Sequence, residues 1–164
     1  MINISFIGMA ACGKSTIGKA VAHKIGVSFV DTDLLIEQKH EATLEEIKNK
    51  YDYKFVRDEE EKVILNLTPS NRIISTGGSA VYSAKSMEHL KKFSKVIYIN
   101  TPLEIIMQRI DIGQKRGLAV PEGMSIPEIY SEREPLYQKY CEIILDGSKT
   151  IDQLVDETIK QLHE

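Results

Sequence analysis

With two cysteines, no tryptophan and a net charge of only −3, this chain of 164 residues lacks what several protein classes require. Cys12 and Cys141 stand far apart, with no second pair and no metal-like spacing. That excludes a disulfide scaffold and fits a reducing compartment. No apolar run approaches the roughly 20 residues of a membrane span. The N-terminus has neither a basic lead nor a cleavage site, and a strand pattern starts at residue 2, so no targeting segment is expected and the cytoplasm is. The weak negative charge leaves no basic surface for nucleic acid or anionic lipid. Histidines are few; His23, His40, His89 and His163 are scattered and read as surface residues without partners.

What is present is an ordinary globular composition, 42% apolar and 27% charged, without repeat, linker or low-complexity tract. One domain over residues 1–164 is expected, acting as a monomer. Strand-like runs at Ile2–Ile7, Ser28–Val30, Arg72–Ser75, Lys95–Ile99 and Glu142–Leu145 alternate with helical patterns. Thr43-Leu44-Glu45-Glu46, Ser125-Ile126-Pro127-Glu128 and Thr150-Ile151-Asp152-Gln153 read as helix starts, as does Thr101-Pro102-Leu103-Glu104 with proline entering the helix. The alternation means parallel β-α units, whose ligands gather beyond the C-terminal ends of the strands. The acidic run Asp58-Glu59-Glu60-Glu61 reads as a solvated helix face.

One stretch carries specific chemistry. Gly8-Met9-Ala10-Ala11-Cys12-Gly13-Lys14-Ser15 fits G-x-x-x-x-G-K-[S/T], a pattern that chance produces in roughly one chain in two hundred of this length. An apolar strand precedes it and a helix, opening with Thr16, follows, which is the setting the motif needs. Glycines allow the backbone to wrap a polyphosphate, with amide N–H groups and a helix N-terminus aimed at the anion. Lys14 is expected to reach the β- and γ-phosphates of ATP, and the Ser15 hydroxyl to ligate Mg²⁺. Cys12, among these amides, is expected to be the more reactive thiol.

The later strand ends supply partners. Asp31-Thr32-Asp33 places two carboxylates at i and i+2, one for the metal side and one to orient an attacking hydroxyl; the plain alternative makes one of them a helix cap. Gly77 and Gly78 follow the third run and let a ligand approach the backbone. Arg57, Arg109, Lys115, Arg116 and Arg133 are the cations suited to phosphate or carboxylate. Arg116 falls in residues 112–124, a glycine-rich stretch without helical period that reads as a mobile lid spanning about 110–124. Asn49-Lys50-Tyr51-Asp52 matches a guanine signature, but it sits in a helical stretch and the chain has no D-x-x-G, so a GTPase switch is not expected.

Together the phosphate loop, Phe29-Val30-Asp31-Thr32-Asp33, Val56-Arg57, Thr76-Gly77-Gly78-Ser79-Ala80-Val81, the lid and Glu132-Arg133-Glu134-Pro135-Leu136-Tyr137 resemble the shikimate kinase family over nearly the whole chain. The resemblance implies a nucleoside-monophosphate-kinase-like α/β/α fold with a five-stranded parallel sheet in the order 2-3-1-4-5. It implies ATP- and Mg²⁺-dependent phosphorylation of the shikimate 3-hydroxyl. It also implies roles. Gly8, Ala10, Ala11, Cys12, Gly13, Lys14, Ser15, Thr16, Arg109 and Arg116 bind ATP; Ser15 and Asp31 serve the metal. Asp33, Arg57, Gly77, Gly78 and Arg133 hold the acceptor, and Lys14, Asp33 and Arg116 are catalytic. Three positions depart from the family: Ser79 for a third glycine, Gly117 for a proline, and Lys48 for an aromatic. On residues alone two readings stay open beside this one, a gluconate-kinase-like enzyme and a nucleotide-binding regulator without transfer activity.

Overall fold

The computed structural model of the chain describes residues 1–111 and 118–164. Five strands, β1 (Asn3–Ile7), β2 (Ser28–Asp31), β3 (Arg72–Ser75), β4 (Lys95–Asn100) and β5 (Ile143–Asp146), form one parallel sheet in the order β2-β3-β1-β4-β5. That is the predicted order, and each strand lies within one or two residues of its apolar run. All of β1 is buried. Side chains alternate across a strand, so a strand buried throughout has helices over both faces. The main core gathers Ile4, Phe6 and Ile7 with Ile73, Ile74, Val96, Ile97 and Ile99 of the neighbouring strands.

Among the described residues eight helices follow: α1 (Lys14–Ile25), α2 (Thr32–His40), α3 (Leu44–Lys50), α4 (Tyr53–Leu65), α5 (Ala84–Phe93), α6 (Leu103–Asp111), α7 (Ile126–Tyr140) and α8 (Ile151–Lys160), with a 3-10 turn at Ala80–Tyr82. Thr43 and Thr150 make the expected reciprocal capping boxes, and the Ser125 hydroxyl accepts from Glu128 N–H. The Thr101 hydroxyl, ahead of α6, donates to the Cys12 carbonyl at 3.1 Å and ties the end of β4 to the phosphate loop. Asp52, in the guanine-like tetrapeptide, caps α4 by accepting from Phe55 N–H at 2.7 Å.

A second apolar cluster lies beyond the sheet. Ile36 of α2, Leu44 and Ile47 of α3, Val56 of α4 and Ala119 pack together, so three short helices and the end of the expected lid stretch make one unit beside the strand ends. The acidic run is not a solvated face. Glu59 and Glu60 are 3% and 2% exposed, on the same side of α4 as Val56 and Ile64. Glu59 clamps α2 to α4: Lys39 donates to it at 2.8 Å and Lys62 at 3.3 Å, and the His40 ring meets it at 2.8 Å. Burial alone would raise the Glu59 pKa, but those hydrogen bonds outweigh it and hold it at about 2. Hence His40 is no partnerless surface histidine, and His89 also has a partner, the Leu67 carbonyl at 2.7 Å. Residues 112–117, with Lys115, Arg116 and Gly117, lie outside the described residues; Ala119 and Val120, just beyond, are buried.

Candidate active site

The phosphate loop between β1 and α1 holds its shape by unusual backbone. Gly8, Ala11 and Gly13 have φ of 150°, 63° and 102°, in the region that L-residues avoid. Gly13 caps α1, so the helix starts at Lys14 with its amides facing the loop. The Lys14 ammonium is 6% exposed and donates to the Gly8 and Met9 carbonyls at 2.6 and 2.8 Å. A cavity of about 270 Å³ opens over this turn, walled by Ala11 to Ile17, Asp33, Thr76 and Arg109. Its far end is formed by Gly147, Lys149, Ile151 and Leu154, from the loop after β5 and the start of α8. Sequence reading missed these four, since a strand end with no glycine-rich signature gave no signal. The half-buried Arg109 donates to the Ala11 carbonyl at 2.8 Å, which sets it beside the loop.

Cys12 does not have the expected exposure. It is 2% exposed, and its thiol packs against Gly8, where a Cβ would fall 2.9 Å from the sulfur. Cys141, at the end of α7, is the more accessible thiol, and burial raises its pKa. Cys12 still borders the cavity over the loop, with its sulfur 3.7 Å from the Lys14 ammonium, and it is burial that sets it apart from the expectation.

Asp31 is the helix cap of the plain alternative, and it also faces the phosphate loop. One oxygen caps α2 through the amides of Asp33 and Leu34 at 2.9 and 3.2 Å; the other accepts from the Ser15 hydroxyl at 2.6 Å. Ser75, at the end of β3, lies 3.2 Å from the same hydroxyl and went unnoticed in the sequence. A hydroxyl and a carboxylate beside a phosphate loop fit Mg²⁺, which takes few protein oxygens and shares the rest with water and phosphate. They fit nothing softer, and among the described residues no group of three His, Cys, Asp or Glu could hold a metal unaided.

Asp33 and Lys14, which border the cavity over the phosphate loop, also border a second, tighter one. Leu44, Val56, Glu60, Gly78, Ser79, Leu118, Ala119 and Arg133 complete it. The glycine pair explains how so many groups converge. A Cβ on Gly77 would strike the Asp33 carboxylate and fall 2.5 Å from Glu60 Oε2; one on Gly78 would fall 2.5 Å from Arg133 Nη1. Thr32, between the two aspartates, fixes this loop by accepting from Gly77 N–H at 3.0 Å. Tyr137 braces it from α7, donating to the Gly78 carbonyl at 2.7 Å.

Three positions deserve separate placement. Arg133 is 1% exposed, with Nη2 buried and unpartnered, so its guanidinium keeps donor capacity for an incoming acceptor, to which it also brings a positive charge. Arg57 is not in the wall of the Asp33 cavity; it lines the adjoining one of about 210 Å³, with Glu60, Ser79 and Tyr82. Burial pulls its pKa below the ordinary value and the like charge of Arg133 adds to this, with no ion pair to either arginine among the described residues. Lys48 stands apart, in a groove with Glu45, Asn49 and Leu118, and the apolar wall of the Asp33 cavity includes Leu44 and Val56.

Glu60 is the site residue that sequence reading passed over. Burial and the nearby Asp33 push its carboxyl up to about 8, against the pull of a 3.2 Å hydrogen bond from Ser79 and of the Arg133 and Lys14 charges. Helical spacing was the available signal: positions 56, 60 and 64 share one face of α4, and its neighbours on that face are Val and Ile.

A phosphate loop feeding a helix, a D-T-D strand end and a second cavity sharing Asp33 define a P-loop phosphotransferase with an alcohol group as acceptor. The sequence model for shikimate kinase matches residues 10–163. The chain is 36% identical over 157 residues to the shikimate kinase of Clostridium botulinum, covering 96% of this chain and 94% of that one. The shikimate kinase of Acinetobacter baumannii, solved in complex with shikimate, superposes with a TM-score of 0.86 at 27% identity, over 99% of this chain and 93% of that chain. A gluconokinase from Sinorhizobium meliloti reaches a TM-score of 0.54 at 14% identity, over 99% and 91% of the two chains, which shows a shared fold alone. The chain belongs to the shikimate kinase family, and its activity is that family's: ATP-dependent phosphorylation of shikimate. Among the described residues no helix is long and apolar enough to cross a membrane.

Proposed function

We propose that Asp33 presents the 3-hydroxyl of shikimate to the γ-phosphate of ATP, in line for transfer. The observation that carries this reading is that Asp33 and Lys14 border both cavities, so the phosphate loop and the acceptor pocket meet at one carboxylate and one ammonium. Lys14 and the amides of residues 8–16 hold and neutralise the β- and γ-phosphates, while Arg109 with Ile151 and Leu154 flanks the adenine end. Ser15 and Asp31, with Ser75 beside them, are the oxygens that would hold Mg²⁺, directly or through water; bound there, the ion neutralises phosphate charge. Arg133 takes the acceptor carboxylate with its unpartnered Nη2, and Arg57 joins it from the adjoining cavity. Gly77 and Gly78 leave room for the ring. Arg116, outside the described residues, is the further cation this reading assigns to developing charge on the transferred phosphate. We further read the protein as a monomer of the cytoplasm, a reading that size-exclusion chromatography with light scattering and cell fractionation test.

A coupled ADP-release assay with shikimate, gluconate and no acceptor tests the reading. Shikimate should drive turnover, and the other two should give background. If another hydroxy acid exceeds shikimate tenfold or more in kcat/KM, the acceptor assignment fails and the phosphate-loop chemistry stands.

A further inference from the structure

Arg57 and Arg133 have one described side chain in common. The guanidinium carbon of Arg57 lies 3.8 Å from the centre of the Tyr82 ring, and that of Arg133 lies 5.4 Å from it. Arg133 Nε also donates to the Tyr82 hydroxyl at 3.3 Å. Tyr53 stands on Arg57 as well, with its ring centre 4.8 Å from the guanidinium carbon.

The chemistry of this arrangement is specific. Two guanidinia brought close repel; the charge of Glu132 relieves part of this at Arg57, and an aromatic face offsets more because its quadrupole is negative above the ring. Both arginines are anchored through Nε: Arg57 to the Ala119 carbonyl at 2.8 Å, Arg133 to the tyrosine hydroxyl. An arginine fixed through Nε keeps its Nη edge for a ligand, and that edge matches the two oxygens of a carboxylate. The unpartnered, buried Nη2 of Arg133 is such an edge. Tyr82 itself sits in the 3-10 turn that continues the glycine loop, half-buried, so its position is set by the same segment that admits the acceptor.

We propose that Tyr82 is a positioning residue for acceptor binding, its ring and hydroxyl holding Arg57 and Arg133 as the pair that receives the acceptor carboxylate. The proposal rests on the reading that these two arginines take that carboxylate. Tyr82 touches no reacting atom and acts through the arginines alone.

Steady-state kinetics on Tyr82→Leu and Tyr82→Phe, with thermal unfolding of each, provide the test. Tyr82→Leu removes the ring face and the hydroxyl and should raise the KM for shikimate about tenfold or more. Tyr82→Phe keeps the ring and loses the bond to Arg133, so its rise should be about threefold. The ATP KM should move less than about twofold in both, and a neutral probe, the methyl ester of shikimate, should respond equally to wild type and variants. A packing role would lower stability and change both substrates together. Equal shifts in the two KM values, or the same loss for the ester as for the acid, overturn the proposal. Arg57→Ala separates the two levels of inference. If that variant raises the shikimate KM and Tyr82→Leu does not, Tyr82 is no positioning residue and the carboxylate reading survives. If neither does, the carboxylate reading has failed with it. Should Tyr82→Leu fail to fold, the selective threefold effect of Tyr82→Phe on the acid over the ester decides alone.

Discussion

The two halves of this site are made by different means. The phosphate side is a single run of consecutive residues, and most of its chemistry lies in the backbone: amides at the start of α1, three positive φ angles, and one lysine held by two carbonyls of its own loop. The proposed acceptor side takes side chains from α2, α3, α4, the loop after β3, α7 and residues 118–119. Phosphate looks alike in every nucleotide, so peptide N–H groups in fixed geometry suffice for it. A small hydroxylated acid needs carboxylate, guanidinium and apolar wall at particular distances, which only a folded chain can assemble. Damage to the first half should therefore stop turnover with any acceptor, and damage to the second should separate the two substrates.

The largest effect belongs to Lys14. Lys14→Ala removes the cation that stabilises charge in the transition state, and its bonds lie within the phosphate loop, to Gly8 and Met9, so kcat should fall on the order of a thousandfold or more with the fold retained. Activity near wild type, measured beside an unchanged far-UV spectrum, removes the kinase reading of the loop. Next comes the aspartate pair. Asp33→Asn should cut transfer by about two to three orders of magnitude and leave nucleotide affinity nearly intact. Asp31→Asn should instead raise the Mg²⁺ concentration needed for half-maximal rate, because Asp31 faces Ser15. Superimposable Mg²⁺ titrations for the two variants would show that the division between metal side and acceptor side is wrong. Arg57→Ala follows, with a rise in shikimate KM of roughly thirty- to a hundredfold for a charged hydrogen bond worth about 2–3 kcal/mol, and little change for ATP.

That contrast also governs what the sequence reveals. The loop was legible because its residues are adjacent; parallel β-α units followed from apolar runs alternating with capped helices, and the strand order from the family resemblance alone. The cation side was legible only as a set of candidates. Nothing local tells that Arg133 is sealed at 1% exposure while Arg57 turns toward the adjoining cavity and the Ala119 carbonyl. Glu59 and Glu60 misled for a physical reason: charged runs on helices face water unless partners from other elements cover them. Here α2 supplies Lys39 and His40 to one, and the glycine loop supplies Ser79 to the other. The Cys12 expectation failed similarly, because amide direction in the loop is local whereas thiol burial is set by packing.

The smallest expected effect on turnover, and the sharpest probe of the acceptor half, is Glu60→Gln. Burial and the adjacent Asp33 raise this carboxyl to about 8, so at pH 6.5 it carries a proton and glutamine is a close mimic. Activity there should change by less than about threefold. Above pH 8 the wild-type group ionises, placing a second negative charge beside Asp33 in a pocket that receives an anion, and the shikimate KM should climb in wild type and stay flat in the variant. Stability follows the same proton. The folded pKa lies above the unfolded value near 4.5, so the folded state binds more protons between those limits. Wild type then loses stability as pH rises from about 4.5 toward 8, whereas Glu60→Gln does not, and below 4.5 the difference stops changing. The gap in unfolding free energy between variant and wild type should thus widen, by on the order of 2–4 kcal/mol, from pH 5 to pH 8. Urea titrations of both proteins across that range measure it. A gap that is constant with pH would mean Glu60 ionises normally, and the pocket would then hold two carboxylates rather than one carboxylate and one acid.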